Sequence, residues 1–441
     1  MFHNAPKLFW WGVSMTCEVV VANRMGVALA ADSAATFSDR DQDGMGRETY
    51  TFGACKIQQL SFVAPVGIMF FGAAELCGVS WELIVKAFRA SLRRTTMCTL
   101  EDYATALVRF VEGNDALFPT EQRLALFRAM AVRSVRSLLA EVQSQQETGA
   151  VGSSPPAVLA QIRETLQGHM LPFGCSEMDL RKTIDTHMAW LSGDCVKEAA
   201  NTEELRLVAR ELPLGKLCEA AVRNLYVNFR TISGAPPTGV VLVGFGDEDA
   251  FPGVLELQCY GLGFDKLITA GRGSVKKKVD HRNSVCIEAY AQTDAVEFFV
   301  GGYTNQIKET IGRAYRQHVG RFADAVMDAT GGASDIEELV GRSAADFERQ
   351  WSEELIRGNL EPLRAVVEGM SLEQLAELAE ALVMLEAFKE RTTRRTHSVG
   401  GPVDVAVITR SEGLVWIKRK HYFGSTLNYR FFHRQFEEQM T

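Results

Sequence analysis

Residues 15–36 read MTCEVVVANRMGVALAADSAAT. Two short runs of mostly small and β-branched apolar residues, 16–22 and 26–31, lie on either side of the segment NRMG at residues 23–26. Apolar runs of this length that are separated by a glycine-containing turn predict a β-hairpin. The first run begins with the hydroxyl side chain of Thr16, which becomes important once the residues downstream are considered.

Strand-like patterns continue from this hairpin to residue 72. The predicted strands are 48–52, 55–61 and 66–72. The segment 66–71 is an unbroken apolar run, which is typical of a strand that is covered on both faces. The beginning of the chain is therefore predicted to be part of a buried sheet.

From Ser80 the apolar residues recur at helical spacing, and two long helical regions alternate with strands in the rest of the chain. Helices are predicted at 100–113, 120–146, 157–167 and 203–229, and again from 302 to 392. Further strands are predicted at 238–245, 254–261, 266–270, 284–291, 294–300, 403–409 and 414–420. This order predicts an α+β chain in which helices pack outside a layered sheet.

Composition limits the classes of function. A chain of 441 residues is long enough for two or three domains, and its net charge of −8 argues against nucleic acid as a partner. No apolar run has the length of a membrane span, so no membrane partner is expected. Nine cysteines without a CxxC pair predict a reduced, cytoplasmic chain. The eight histidines show no metal-binding spacing, and neither a metal nor an organic cofactor is predicted.

A threonine hydroxyl needs a base to become a nucleophile, and a free α-amine on the same residue can serve as that base. The pKa of an α-amino group is normally about 7.7–8.0, close to neutral pH. A nearby lysine held by a carboxylate would favour the alkoxide, and a backbone N–H would bind the developing oxyanion. Thr16, Lys56, Asp32 and Gly72 are the residues to which we assign these four roles.

Four segments carry a family resemblance: T-x-x-V-V-x-A from Thr16, G-V-A-L-A-A-D-S-A-A-T around Asp32, C-K-I-x-x-L-S around Lys56, and F-F-G-A-A-E around Gly72. Together they resemble the first half of proteasome β subunits and their bacterial relatives, which are N-terminal-nucleophile (Ntn) hydrolases. The resemblance implies a four-layer αββα sandwich and a peptide or unfolded protein as substrate. It also implies that Thr16 is the nucleophile and that Gly72 lines the oxyanion hole.

Two later segments, 238–274 and 398–420, are similar to the same family. Here the chain departs from the family pattern. Arg272 stands where the family has a serine that supports the nucleophile, whereas Ser274 is kept and Ser398 is aligned only roughly. Arg272, Ser274 and Ser398 are therefore candidate supporting residues around the α-amine.

The proposed chemistry requires Thr16 to be the first residue of the mature chain, so the bond between Met15 and Thr16 must be broken. Two routes are open: attack by the Thr16 hydroxyl on the Met15 carbonyl, or removal of Met15 by methionine aminopeptidase after initiation at Met15. Cys17 is expected to face the other side of its strand and to be a buried bystander. Alignment with the family also places Ala35 and Phe70 near the specificity pocket.

The expected domain division follows the alternation of strands and helices. The segments are a leader (1–15), the first half of the core (16–99), a helical insertion (100–232), the second part of the core (233–301), a second insertion (302–395) and C-terminal core strands (396–441). The insertions are candidates for binding a partner protein, and a homo-oligomer is a further expectation. Two alternatives to a peptidase remain: an Ntn amidase acting on a small molecule, and a catalytically degenerate interaction or regulatory protein.

Overall fold

A computed structural model describes most of the chain: residues 17–40, 46–147, 154–172, 174–269, 275–330, 336–393, 400–421, 423–424, 428–430 and 433. The structure is mixed α and β, with antiparallel strand pairing in its sheets, in agreement with the predicted α+β class.

Within the described residues, two larger sheets are accompanied by two short hairpins. The strands are β1 (Cys17–Ala22), β2 (Val27–Ala31), β3 (Ala34–Arg40), β4 (Gly46–Phe52), β5 (Ile57–Gln59), β6 (Val66–Gly72), β7 (Glu75–Leu76), β8 (Val79–Ser80), β9 (Thr238–Gly244), β10 (Gly253–Gly263), β11 (Lys266–Thr269), β12 (Val275–Lys278), β13 (Cys286–Ala291), β14 (Asp404–Thr409) and β15 (Gly413–Lys418). The first sheet has the order β13-β1-β2-β14-β15, and the second has the order β11-β10-β9-β6-β5, with β12 also paired to β10. The pairs β3–β4 and β7–β8 form the hairpins. The predicted pairing of the first two strands is confirmed by the β1–β2 ladder.

The helices group into a region after β8 and a region after β13. They are α1 (Trp81–Leu92), α2 (Leu100–Gly113), α3 (Thr120–Glu147), α4 (Pro155–Gly168), α5 (Glu177–Trp190), α6 (Val196–Ala199), α7 (Glu203–Glu211), α8 (Leu214–Val227), α9 (Phe229–Ser233), α10 (Asp294–Gly301), α11 (Asn305–Thr330), α12 (Ile336–Leu355), α13 (Glu361–Glu368) and α14 (Leu372–Thr393). Two π-helical turns, Leu191–Cys195 and Ile356–Leu360, join consecutive helices. Polar caps explain several helix starts, for example the reciprocal capping box of Thr99 and Asp102 before α2.

The inner faces of the two larger sheets pack on each other. Val20 and Leu29 of the first sheet share one buried cluster with Met69 and Val241 of the second. Alternation along β1 sends Val19 to the opposite face, where it packs against α14. The outer face of the second sheet packs on α1 and α2. The chain therefore places each sheet between the other sheet and a helical layer.

Helices α3 to α9 enclose a separate apolar cluster of their own. Phe127 and Leu139 of α3 pack in it against Leu217 and Leu225 of α8. Ile268 of the edge strand β11 joins this cluster, so the helical region lies against the margin of the second sheet. The expected insertion bounds, 100–232, stay a prediction.

The sequence-based assignment differs from the structure in several places, among them the following. The segment predicted as a strand at 294–300 is helix α10, because the carboxylate of buried Glu386 accepts the N–H of Ala295 at the helix start. Strands β3, β7, β8 and β12 were not predicted. The helix predicted at 203–229 is divided into α7, α8 and α9; Pro213, which lacks an N–H, separates the first two.

Asn23 joins the β1–β2 turn to the connection between α13 and α14. Its fully buried side chain donates to the carbonyls of Met370 (2.9 Å) and Val367 (3.1 Å) and accepts the N–H of Met25 (2.9 Å).

Asn23→Ala is expected to lower the free energy of unfolding by about 2–3 kcal/mol, because it leaves buried backbone groups without partners. Urea denaturation measures this effect. A loss below about 0.5 kcal/mol would contradict the structural role, and Arg24→Ala, at an exposed position of the same turn, is the control.

Candidate active site

The structure describes three of the four predicted catalytic residues. Asp32 follows β2, Lys56 precedes β5, and Gly72 ends β6. Five other predicted residues lie outside the described part of the chain: Met15, Thr16, Arg272, Ser274 and Ser398. Their predicted roles therefore stay predictions.

Asp32 is the hydrogen-bonding centre of the site. Its carboxylate is buried and accepts three backbone N–H groups: Cys17 on Oδ1 at 3.1 Å, and Gly400 and Ala34 on Oδ2 at 2.8 and 3.3 Å. The Asp32 N–H in turn donates to the Cys17 carbonyl at 3.2 Å. These bonds hold the start of β1, the end of β2 and the segment at Gly400 together around one negative charge.

Lys56 binds two carboxylates. Its ammonium contacts Asp32 Oδ1 in a short ion pair and lies 3.4 Å from Glu18 Oε1. All three side chains are buried, with 7% of the Lys56 side chain and none of either carboxylate exposed. The structure thus brings Asp32 and Lys56 together, as the predicted roles require, and adds a second acid that was not predicted.

Glu18 lies on the face of β1 that is directed between the two sheets. The alternating residues Val20 and Ala22 belong to the inter-sheet cluster, whereas Cys17 and Val19 pack toward α14. A signal for Glu18 was present in the sequence, because a charged residue directly precedes the strand run VVV at 19–21. An acid in a fully buried strand needs a cation nearby, and that cation is Lys56.

Gly72 reaches the same region from the second sheet. The preceding residue, Phe71, stacks on Tyr290 with ring centroids 5.1 Å apart, and Tyr290 is directly opposite Glu18 in the β1–β13 ladder. The Gly72 end of β6 therefore lies across the inter-sheet layer from Glu18. The φ angle of Gly72 is +76°, and an added Cβ would lie 2.5 Å from the Pro237 carbonyl oxygen. Glycine is needed here for both reasons.

A second buried ion pair, also missed in the sequence, borders the site. Lys420 Nζ lies 2.5 Å from Asp404 Oδ2, and the Lys420 N–H donates to Oδ1 of the same carboxylate at 2.8 Å. Asp404 is directly opposite Ala31, the residue before Asp32. Burial raises the pKa of the thiol of Cys55, the neighbour of Lys56, while the charge of Lys420 opposes that rise. The residues that follow β15 are thereby attached beside the candidate site.

Of the two residues assigned to a specificity pocket, the structure describes the side chain of Phe70 but only the backbone of Ala35. The Phe70 side chain is 6% exposed and stacks on Trp81 with ring centroids 5.5 Å apart, on the helix-covered face of the second sheet. Ala35 belongs to β3 and pairs with Thr51, but its side chain lies outside the described ones. A role of either residue in substrate selection stays a prediction.

Cys17 has the surroundings of a structural thiol. It is fully buried against the α14 side of β1, and burial raises the pKa of its thiol well above the usual range, with the carboxylates of Glu18 and Asp32 adding to the rise. Because the thiolate is the reactive form of cysteine, this environment disfavours Cys17 as a nucleophile.

Glu386 of α14 is a buried acid behind β1. It accepts the Ala295 N–H at 2.6 Å at the start of α10, and Lys389 and Asp294 are paired nearby at 3.4 Å. Burial raises the pKa of its carboxyl despite the backbone hydrogen bonds, which oppose the rise. The protonated form is therefore favoured in the folded protein relative to the unfolded chain.

Glu386→Gln is expected to raise the free energy of unfolding at pH 7.5. The folded-state pKa lies above the unfolded value, so the folded wild type gains stability as the pH falls through that folded-state pKa. The stability advantage of Glu386→Gln over wild type should therefore decrease as the pH falls. The scale is about 1.4 kcal/mol for each unit by which the folded-state pKa exceeds the unfolded value. Urea denaturation at pH 5.0 and 7.5 measures it, with exposed Glu373→Gln on the same helix as control. A constant difference at both pH values would contradict the assignment.

The described residues contain no group of three or more histidine, cysteine or acidic side chains placed to hold a metal ion. Among the helices that the structure describes, none combines the length and the apolar character needed to cross a bilayer. All nine cysteines belong to described residues and are free thiols.

No protein-family model and no curated protein sequence matches the chain. Among solved structures, it is similar to the Anbu (Gly-1) mutant from Hyphomicrobium sp. strain MC1 at 12% sequence identity, with 96% of this chain and 95% of that chain covered. The TM-score is 0.24, a value that carries no argument about shared fold or activity. What the molecule does must therefore be argued from its own residues, which define a mixed α and β protein with a buried lysine–carboxylate cluster.

Proposed function

We propose that this chain is a proteasome-like Ntn hydrolase that cleaves peptide bonds with Thr16 as the N-terminal nucleophile. The observation that carries the proposal is the contact between Lys56 and Asp32 at the start of β1. The backbone nitrogen of Cys17, which is covalently bonded to Thr16, lies 3.1 Å from the same carboxylate. Thr16 is thus bonded to a residue whose N–H shares the Asp32 carboxylate with the Lys56 ammonium.

The layered packing supports the same proposal at the level of the fold. An Ntn-hydrolase sandwich consists of two sheets packed face to face with helices outside each of them. Packing of α14 on the first sheet and of α1 and α2 on the second agrees with that order. In the corresponding division, residues 1–15 are a leader, the core comprises 16–99, 233–301 and 396–441, and the helical insertions are 100–232 and 302–395.

In the proposed reaction, the Thr16 hydroxyl oxygen attacks the scissile carbonyl and its proton moves to the neutral α-amine. The Gly72 N–H stabilises the oxyanion, and the new α-ammonium returns the proton to the leaving amine. The resulting ester is hydrolysed by a water whose proton passes through the same amine. Lys56 stabilises the alkoxide electrostatically, and Asp32 keeps Lys56 in position. No metal or organic cofactor takes part.

Two variants of the nucleophile test this proposal. Thr16→Ala is expected to lower peptide hydrolysis by about 10³-fold or more, because the group that forms the covalent intermediate is lost. Thr16→Ser, the matched control, keeps the hydroxyl and the α-amine and should retain measurable activity. Intact-mass measurement should show a chain that begins at Thr16, and a peptide epoxyketone should label wild type and not Thr16→Ala.

The alternatives give different results in the same experiment. Labelling with turnover of small amides but not peptides would identify a small-molecule amidase. A chain that keeps Met15, takes up no label and functions equally well as Thr16→Ala would overturn the hydrolase proposal and favour an interaction protein.

Size-exclusion chromatography with light scattering tests the proposed homo-oligomer, and pull-down with the helical insertions deleted tests their proposed role in binding a partner protein. The nine free thiols support the proposed cytoplasmic location.

A further inference from the structure

A cavity of about 360 Å³ lies between the helical region α3 to α9 and the margin of the second sheet. Its lining comes from the connection between α4 and α5, from the end of α8 and from α9, and from the strands β10 and β11. Asp32, Lys56 and Gly72 do not line it, so it is separate from the lysine–carboxylate cluster. Protein cavities that hold small molecules have volumes of about 300–1,000 Å³, so this one suits a ligand at the small end of that range.

The cavity reaches from the surface into the protein. Of the residues that line it, Met170 and Arg230 are exposed. Phe229, Ile268 and Thr269 also line it, and their exposed fractions are only 3%, 1% and 4%. A ligand in this cavity would therefore have one end close to solvent and the other end enclosed by the protein.

The exposed end carries a positive charge. Arg230 is the only side chain with a full charge among the described residues that line the cavity. Its guanidinium forms no ion pair or hydrogen bond within the described part of the chain. A guanidinium presents its N–H donors in a plane that matches the two oxygens of a carboxylate. The exposed end is therefore suited to an acidic group.

The enclosed end has a polar atom that lacks a partner. Thr269 Oγ1 is buried and has no hydrogen-bond partner among the described residues. Buried hydroxyl groups in folded proteins are normally hydrogen-bonded to the protein, to water or to a bound molecule. The rest of the lining is largely apolar and includes Leu171, Phe229 and Ile268. A cation, an apolar wall and an unpaired hydroxyl together define the chemistry of a ligand.

We propose that this cavity binds a small organic acid with a ring-sized apolar body. The carboxylate of the ligand pairs with Arg230, its body packs against Phe229 and Ile268, and a polar group at its far end hydrogen-bonds to Thr269. Packing of the apolar body provides affinity, while the two polar contacts fix the orientation of the ligand. The inference does not depend on the hydrolase activity proposed above, since no residue assigned to catalysis takes part.

Three related ligands test the proposal in ligand-observed NMR titrations. The compound para-hydroxyphenylpropionate has both polar groups, phenylpropionate lacks the hydroxyl, and para-hydroxyphenylpropionamide lacks the charge. The first is expected to bind wild type with a Kd of about 1 mM or lower. Each of the other two should bind about fivefold more weakly, because one polar contact is lost.

Variants of the two polar residues assign these contacts. Arg230→Gln should weaken binding of para-hydroxyphenylpropionate about fivefold and leave binding of the amide unchanged. Thr269→Val keeps the shape of the side chain without its hydroxyl, so it should bind the hydroxylated acid no better than phenylpropionate. Because Thr269 Oγ1 has no described partner, Thr269→Val should melt at the same temperature as wild type or higher. Arg181→Gln, at an exposed position of α5 that does not line the cavity, is the matched control and should bind as wild type.

Absence of saturable binding by wild type would overturn the proposal. Equal affinities for the acid and the amide, or an equal loss in Arg181→Gln and Arg230→Gln, would also overturn it, because the charge of Arg230 would then not select the ligand. Peptide hydrolysis is measured separately. Binding as expected in a chain without hydrolysis would support the cavity site and overturn only the hydrolase.

Discussion

Lys56→Met is expected to lower the free energy of unfolding by about 3–5 kcal/mol at pH 7.5. Methionine keeps most of the volume of lysine but removes the ammonium that contacts both Asp32 and Glu18, which stay buried. Urea denaturation at pH 7.5 measures this loss.

Two further variants separate the charge effect from a packing defect. Adding Asp32→Asn and Glu18→Gln to Lys56→Met removes both negative charges that Lys56 contacts and should restore part of the lost stability. Lys86→Met breaks a surface pair of the same kind, with Lys86 Nζ 2.5 Å from Glu82 and about half of each side chain exposed, and should cost less than about 0.5 kcal/mol. Equal losses for the two lysine variants would show that burial does not govern the Lys56 cluster.

Gly72→Ala is expected to lower the free energy of unfolding by about 3 kcal/mol or more, although it adds a single methyl group. Alanine is strained at the positive φ of Gly72, and its Cβ would be 2.5 Å from the Pro237 carbonyl oxygen, so the backbone must move. Displacement of the Gly72 N–H should also lower kcat by about 10²-fold or more if it binds the oxyanion.

Gly78 provides a matched control for this prediction. Its φ is +83°, close to that of Gly72, but no atom lies within 4 Å of an added Cβ. Gly78→Ala should therefore cost about 1 kcal/mol from backbone strain alone and leave hydrolysis unchanged. Urea denaturation and peptide hydrolysis measured on both variants separate strain from overlap. Similar losses for the two glycines would contradict the close approach of β6 to Pro237.

The elements that the sequence predicted well are those with a strong local cause. Helix α2 matches its predicted bounds because a capping box starts it and apolar residues recur along one face. Strand β6 was recognised from its unbroken apolar run. The segment 294–301 was misassigned since its apolar residues suit either structure, and the contact from Glu386 on a distant helix favours the helix.

In the candidate site, too, some residues could be recognised from local sequence motifs, whereas others are brought together only by the fold. Asp32 and Lys56 were recognisable from their motifs and their positions relative to Thr16, but a motif contains no information on what else contacts the lysine. Glu18 could be noticed as an acid in a strand, yet its 3.4 Å separation from Lys56 exists only because β1 and the start of β5 meet in the fold. Likewise, Asp404 and Lys420 are placed beside this region by the pairing of β14 with β2.

The sequence by itself determined the alternation of sheets and helices, the position of the β1–β2 hairpin and the candidacy of Thr16, Asp32 and Lys56. These follow from periodicity, turn residues and local motifs, which act over a few neighbouring residues. Only the tertiary structure decided that two buried carboxylates share one ammonium and that the end of β6 faces Glu18. Burial of charge is a property of the assembled sheets, because it depends on which distant strands exclude water from the same point.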